Sequence, residues 1–354
     1  MTDLAEKIIQ IQQELRKTPY HKGTEHYIGL LRAKLAKLRF QLQESTAKKG
    51  AGGGFAIPKE GDATCVLVGV PSVGKSTILS KLTAAKPKIA PYPFTTLSVI
   101  PGMMKYRGAA IQILDVPGLV GKAAKGAGHG REILSVVRIA DLLVILAEAN
   151  KFEFQKDLIL AELAENGIRV NKPKPEITVK KLNSGGMKII TISNCGLEKK
   201  QIVLTAEELG LVNAEIQIKS KVTVNDLIDA ILGNRIYLPA LFIASKVDLT
   251  PILKLKNEAI PVSALKNLGI GKLKEEIWQK LGLIKVYLKP ANGKTDFNNP
   301  LILKYGSKVS EAASKVSSDL AQNFKSAQIL RGGLKKQVGA NFELEDEDAV
   351  TFLT

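Results

Sequence analysis

Residues Gly69 to Ser76 read G-V-P-S-V-G-K-S and stand between the apolar run Ala63–Val68 and the helix-like segment Thr77–Leu82. A buried strand that enters a glycine-bounded turn and leaves it as a helix restricts the fold to layered α/β architectures, with the turn at a carboxyl end of the sheet. The residue types say what the turn is for. Gly69 and Gly74 permit backbone angles that a side chain would forbid, so successive N–H groups can converge on phosphate oxygens. The helix that follows adds its positive N-terminal end. Gly69, Val70, Pro71, Ser72, Val73, Gly74, Lys75, Ser76 and Thr77 are therefore candidate phosphate-binding residues. Lys75 would bring a mobile charge to the outer phosphates, and the Ser76 hydroxyl is placed to ligate Mg²⁺.

The chain has 354 residues, too many for one ordinary domain, and several modules are expected. Its formal charge of +17 exceeds what a nucleotide needs, and the excess points to RNA or the ribosome as a partner rather than DNA. The lysines are spread along the chain, which also fits a solubility surplus. Cys65 and Cys195 have neither disulfide-framework nor metal-site spacing. The start of the chain has early acids and no apolar signal core, and the greasiest stretch, Ile139 to Ala149, is short and carries Asp141 and Glu148. These features predict a cytoplasmic protein with no membrane contact. The oligomeric state is not legible.

Leu4, Ile8, Ile11 and Leu15 recur at helical spacing, as do Leu31, Leu35, Leu38 and Leu42, with Pro19 and Gly23 between the stripes. Residues 1–50 therefore read as a helical hairpin. Its basic residues Arg32, Lys34, Lys37 and Arg39 fit either a phosphate-contacting or a solvated face. Ala51–Gly54 is a flexible boundary. From Asp62 onward, short apolar runs at Ile111–Leu114, Leu142–Leu146, Leu241–Ala244 and Ala259–Val262 predict a mostly parallel sheet covered by helices. This P-loop α/β domain occupies 61–170 and 236–282. Between its halves, 171–235 reads as an α+β insert with strands at Ile177–Val179, Lys188–Ile192 and Glu215–Ile218, a helix near Ile202–Leu209, and a Thr223/Asp226 capping box. Residues 284–354, with a strand at Leu283–Leu288, Leu301–Leu303, a helix around Val309–Leu320 and Val350–Leu353, predict a small mixed domain of the β-grasp kind.

Further motifs follow the predicted strands. Asp115-Val116-Pro117-Gly118 places a carboxylate where it can hold Mg²⁺ through water and an amide, that of Gly118, where it can approach a γ-phosphate; by itself the motif is equally a turn. In Ser245-Lys246-Val247-Asp248, the Asp248 carboxylate can accept both guanine donors, which adenine lacks, so GTP is expected over ATP. The Lys246 stem can lie over the base. Ser263-Ala264-Leu265 would offer backbone donors to the base oxygen. In Tyr92–Leu97, Phe94, Thr95 and Thr96 are candidate nucleotide contacts, and one threonine, Thr96 in preference to Thr95, would complete the Mg²⁺ shell. Lys75, Thr96 and Gly118 are the candidate catalytic residues.

These motifs, the run Asp115–Gly121 with its glycines through Gly130, and the C-terminal module together resemble the Obg-type translation-factor GTPases. The hairpin run Gly29–Arg39, Asp226–Asp229 with Gly233–Arg235, and Leu344–Asp348 resemble the DRG (developmentally regulated GTP-binding protein) branch over nearly the whole chain. The resemblance implies a terminal TGS domain, binding and hydrolysis of GTP to GDP, action at or near the ribosome, and a possible regulatory protein partner. Ser245 stands where such GTPases carry Asn or Thr. Ser72 replaces a phosphate-loop Asn associated in some relatives with potassium, so potassium dependence stays open. Leu119 occupies the place of a water-orienting Gln and cannot hydrogen-bond, which predicts slow intrinsic turnover. The glycine-rich segment after Asp115 is expected to be mobile until a γ-phosphate orders it, and carries His129 and Arg131 as weaker catalytic candidates. An ATPase resembling the YchF branch and a constitutive RNA- or ribosome-binding scaffold are the alternative readings.

Overall fold

The computed structural model describes residues 2–47, 59–83, 90–91, 98–116, 136–249, 258–290 and 293–353. These form two compact units, one of residues 2–47 with 161–238, the other of residues 59–116, 136–160 and 239–353 where described.

The hairpin is formed by α1 (Thr2–Lys17) and α2 (Glu25–Ala47). Ile11 from the first stripe and Leu31 from the second are buried, as is Ile28, which precedes the second stripe. The connection is pinned by Thr24, whose hydroxyl donates to the Pro19 carbonyl (2.6 Å) and whose carbonyl accepts the first bond of α2 from Ile28 N (2.9 Å).

The sheet begins with β1 (Ala63–Gly69), which leads through the phosphate-loop sequence into α3 (Lys75–Leu82). Then come β2 (Ala90–Pro91), β3 (Ser98–Tyr106), β4 (Ala109–Asp115), β5 (Leu142–Glu148) and α4 (Phe152–Glu165). Every residue of β1 is buried, the pattern of a strand covered on both faces.

The chain next builds β6 (Ile168–Val170), β7 (Ile177–Lys181), β8 (Met187–Thr191), α5 (Lys199–Glu208), β9 (Ala214–Ile218), α6 (Val224–Leu232) and β10 (Ile236–Leu238). Strand β9 is central, antiparallel to β7 and parallel to β8, and its buried residues Ala214, Ile216 and Ile218 pack with Ile202, Ala206 and Leu227 of the helices. Thr223 and Asp226 form the expected capping box. The parallel β6–β10 ribbon is not announced by the sequence, because three-residue strands carry too little periodicity to register.

In the same unit α2 packs on α6 through Ala33, Val224 and Ile228. Lys37 Nζ donates to the Glu208 carbonyl at the end of α5 (2.6 Å), and Arg39 pairs with Glu165 (3.0 Å). These two basic residues of the hairpin therefore have partners inside the protein, whereas Arg32 and Lys34 remain exposed.

The sheet resumes with β11 (Ala240–Ser245) and β12 (Ala259–Val262), and α7 (Ile270–Leu281) covers it. The strand order is β12-β11-β5-β1-β4-β3-β2, parallel from β12 to β4 with β3 and β2 added antiparallel, in agreement with the expected mostly parallel sheet. Leu67, Ile113, Leu142 and Val144 from the strands meet Ile78, Leu79, Leu273 and Ile277 from the helices.

The last module contains β13 (Leu283–Leu288), β14 (Asp296–Lys304), α8 (Val309–Val316), α9 (Ser318–Asn323), β15 (Ser326–Arg331), β16 (Leu334–Val338) and β17 (Ala349–Leu353). Its order β14-β13-β17-β15-β16, with β13 and β17 parallel, is a β-grasp sheet. The single helix expected around Val309–Leu320 breaks at Ser317, which is extended (φ −164°) and accepts a hydrogen bond from Leu320 N (3.0 Å) to start α9.

Asp229 is a buried charge of the first unit, held by Arg169 (2.6 and 2.8 Å) and by Arg235 (2.8 Å). Asp229→Ala leaves both guanidiniums without their carboxylate, with only the Ala164 carbonyl and the Asn234 side chain as acceptors among the described residues, and should cost about 3–5 kcal/mol, read from a urea midpoint. Thr223→Ala, which removes only a helix cap, should cost about 1 kcal/mol in the same measurement.

Candidate functional site

The carboxyl ends of β1, β4, β11 and β12 lie along one edge of the parallel sheet, and the register decides which residues face each other there. Leu67 is opposite Asp115, Gly69 opposite Leu146, and Ser245 opposite both Glu148 and Val262. Such an edge is where ligands of open α/β sheets sit.

At Gly69 a Cβ would stand 2.8 Å from the Leu146 carbonyl oxygen and 2.9 Å from Val73 Cγ1, so only glycine lets the loop leave the strand this close to its neighbour. At Gly74 the reason differs: a Cβ would meet nothing within 4 Å, but φ is +101°. Ser72 is also left-handed (φ +62°). Gly74 caps α3 without a side chain, and the first helical bond runs from Ile78 N to Gly74 O (3.0 Å). The amides of Lys75, Ser76 and Thr77 thus have no carbonyl partner within the helix.

Lys75 is buried, and its Nζ donates to the carbonyls of Gly69 (3.0 Å) and Val70 (3.2 Å), so the ammonium curls back onto its own loop. Burial pushes its pKa down, and the Asp115 charge opposes that. Asp115 is fully buried at the end of β4. Its Oδ2 accepts from Ser76 Oγ (2.5 Å), and its Oδ1 has no hydrogen-bond partner among the described residues. Burial pushes this carboxyl pKa up, while the Ser76 hydrogen bond and the Lys75 charge pull it down.

On the other side of the loop, the buried Ser245 hydroxyl is within reach of the Val73 carbonyl (2.9 Å) and the Ala147 carbonyl (3.2 Å); its single proton serves one at a time. The shorter arm that replaces Asn or Thr thus still ties β11 to the phosphate loop. Lys246 is left-handed (φ +58°), and its Nζ pairs with Glu148 Oε1 (2.5 Å), a hydrogen bond that holds the Glu148 carboxyl below its ordinary pKa. Asp248 lies on the short turn Val247–Leu249, exposed and without an ion pair or side-chain hydrogen bond to a described residue. Ser263 is buried and bridged to Leu268 through both backbone groups (3.1 and 2.9 Å), leaving Ala264 half-buried and Leu265 exposed.

The structure therefore brings together the loop 69–77, Asp115, Ser245–Asp248 and Ser263–Leu265. Phe94, Thr95, Thr96 and Gly118 lie outside the described residues, as do Leu119, His129 and Arg131. Glu148 is a site residue that its own sequence context does not announce. In the sequence it is only an acid ending a greasy run, and the parallel register with Ser245 is what puts it beside Lys246. Ser245→Ala should speed release of a fluorescent GDP analogue about five- to tenfold, the equivalent of one hydrogen bond of roughly 1 kcal/mol.

Residues 64–181 match the family model described as 50S ribosome-binding GTPase, residues 184–283 match the model for the C-terminal region of that domain, and residues 284–354 match the TGS domain. An uncharacterized GTP-binding protein of Methanocaldococcus jannaschii is 40% identical over 364 aligned residues, covering 99% of this chain and 93% of the relative. Another uncharacterized GTP-binding protein, from Halobacterium salinarum, is 40% identical with 98% of each chain covered. Developmentally-regulated GTP-binding protein 2 of Homo sapiens is 37% identical, again over 98% of each chain. With this agreement along its whole length, the chain belongs to the DRG family of Obg-type GTPases, GTP-binding P-loop proteins that end in a TGS domain.

Proposed function

We propose that this chain is a slow, Mg²⁺-dependent GTP hydrolase whose nucleotide state governs its attachment to the ribosome. The observation that carries the reading is the convergence, on one sheet edge, of a phosphate loop, a buried carboxylate with one oxygen unpartnered by any described residue, and an exposed carboxylate without an ion pair to a described residue. The modules that would share the work are a hairpin (1–50), a GTPase domain (61–170 and 236–282), an α+β insert (171–235) and the TGS domain (284–354).

Asp115 Oδ1 is buried without a partner among the described residues, beside the Ser76 hydroxyl, an all-oxygen donor pair suited to a small hard cation. Ser76, Asp115 through water, and Thr96 would hold Mg²⁺, which when bound would neutralise charge on the phosphate oxygens. Lys75 would exchange the Gly69 and Val70 carbonyls for phosphate oxygens, keeping its charge satisfied in both states. The unbonded amides at the start of α3 would receive the same phosphates. Asp248 would accept the two guanine donors, while the Lys246 stem, anchored at its tip by Glu148, would lie against the base. Ser263, Ala264 and Leu265 would close the base side, and Phe94, Thr95 and Gly118 would complete the nucleotide contacts. With Leu119 unable to orient water, turnover would stay low until a partner protein or the ribosome supplied that function.

GTP should bind far more tightly than ATP in a competing titration, and Asp248→Asn should weaken GTP about 10- to 100-fold. Equal affinities for the two nucleotides would favour the ATPase reading. Single-turnover hydrolysis should disappear on chelation of Mg²⁺. In sedimentation with ribosomes, wild-type protein should associate more with a GTP analogue than with GDP, and Lys75→Ala should abolish the difference. Association of Lys75→Ala that is the same as wild type with every nucleotide would leave a constitutive scaffold. A cytoplasmic location is part of this proposal; among the described residues, no helix is long and apolar enough to cross a membrane.

A further inference from the structure

The first unit contains a cleft of about 1090 Å³, the size of a large ligand pocket but open to solvent. Its walls come from the hairpin, the segment 172–176, Gly196–Leu197 and the segment 220–226 that opens α6. Basic and acidic residues both line it, so what matters is which charges are already satisfied. Glu165 is paired with Arg39, and Asp229 with Arg169 and Arg235. Asp226 is engaged in the capping box, and Glu25 accepts from the Tyr20 hydroxyl (3.3 Å). Glu176 stays exposed. The cations Arg32, Lys172, Lys174 and Lys221 are exposed and form no ion pair or side-chain hydrogen bond with a described residue. Glu165 and Asp229 are thus neutralised from within, whereas Glu25, Glu176 and Asp226 keep their charge, so four cations without an ion pair face three such carboxylates and the free charge of the cleft is slightly positive.

Tyr20 adds a second feature. Its ring lines the cleft and is 67% exposed, while its hydroxyl is tethered to Glu25. An exposed ring next to separated cations is the pairing that recognises single-stranded nucleic acid, where phosphates meet Lys and Arg and a base stacks on the aromatic face. An acidic peptide would use the cations but has no need of the ring.

We propose that this cleft binds single-stranded RNA, with Arg32, Lys172, Lys174 and Lys221 contacting phosphates and Tyr20 stacking on a base. The inference rests on the reading that the protein works on the RNA of the translation machinery, and it names where that RNA is held.

The test uses full-length protein and a fluorescent oligouridylate. The triple change Lys172→Glu, Lys174→Glu and Lys221→Glu should weaken binding about tenfold or more. It should also flatten the slope of log affinity against log salt by about 2, since each single-strand phosphate neutralised by a cation contributes roughly 0.7. Tyr20→Ala should weaken binding about fivefold or more, and Tyr20→Phe, which keeps the ring, should bind like wild type. Lys180→Glu with Lys181→Glu, exposed lysines of the same unit at the end of β7 that do not line the cleft, should change affinity by less than either cleft variant. GDP binding, measured at the sheet edge of the other unit, should be unaltered in all variants and reports that the chain is folded. Equal RNA affinity of wild type and the triple variant, or an oligoglutamate that binds in place of RNA, would overturn the assignment. Ribosome sedimentation of the same proteins separates the two readings. Wild-type cosedimentation without a cleft-dependent RNA affinity removes the cleft alone, and absence of cosedimentation removes the ribosome reading.

Discussion

Strand β1 is paired in parallel on both sides, with β4 and with β5, and the arrangement of the candidate site depends on that double pairing. Cys65 and Leu67 of β1 share a core with Ile78, Leu79 and Ile277, and a one-residue slip of its register would turn them to the opposite face of the sheet. The register then dictates that the loop after Gly69 emerges beside Leu146 and that Asp115 ends level with Leu67. The loop needs glycine at 69 because the Leu146 carbonyl is already there. A local sequence requirement is in this way produced by a long-range pairing.

The same edge concentrates charge that burial disfavours. Lys75 and Asp115 are both buried, and each has its pKa displaced toward the neutral form by desolvation and restored in part by the other. Lys75 is stabilised by two loop carbonyls, whereas Asp115 keeps one carboxylate oxygen without a partner among the described residues. A buried polar atom left in this condition is costly in a purely structural role. It is the expected condition of a group whose partner arrives with a ligand, and here the sheet core tolerates it because the surrounding apolar residues are well packed.

Much of the architecture is legible in the sequence because the relevant signals are local. The strand–loop–helix at 63–82, the four apolar runs and the Thr223 box each depend on residues within a few positions of one another. The break at Ser317 is not legible, because a serine within a helical pattern continues a helix or restarts one according to whether its hydroxyl finds a free amide. The β15–β16 hairpin is equally silent, because Lys335, Lys336 and Gln337 are exposed and give no apolar alternation, although the Gly332–Gly333 turn marks its tip. The basic residues of α2 are ambiguous for another reason. Whether Lys37 and Arg39 face solvent or a partner depends on where the end of α5 and Glu165 come to lie, which no helical periodicity contains.

The order of the motifs, their residue types and the expectation of a guanine nucleotide were determined by the sequence itself, since phosphate loops and carboxylates that follow buried strands have their chemistry written into short segments. What only the tertiary structure decided was the closing of the site across distance. The Ser245 hydroxyl reaches the Val73 carbonyl, Glu148 receives Lys246, and beside the cleft Arg39 pairs with Glu165 and Arg169 with Asp229. Each of these contacts joins residues far apart in the chain. Their existence rests on strand register and helix packing, which follow from burying many apolar side chains at once and from no single stretch of residues.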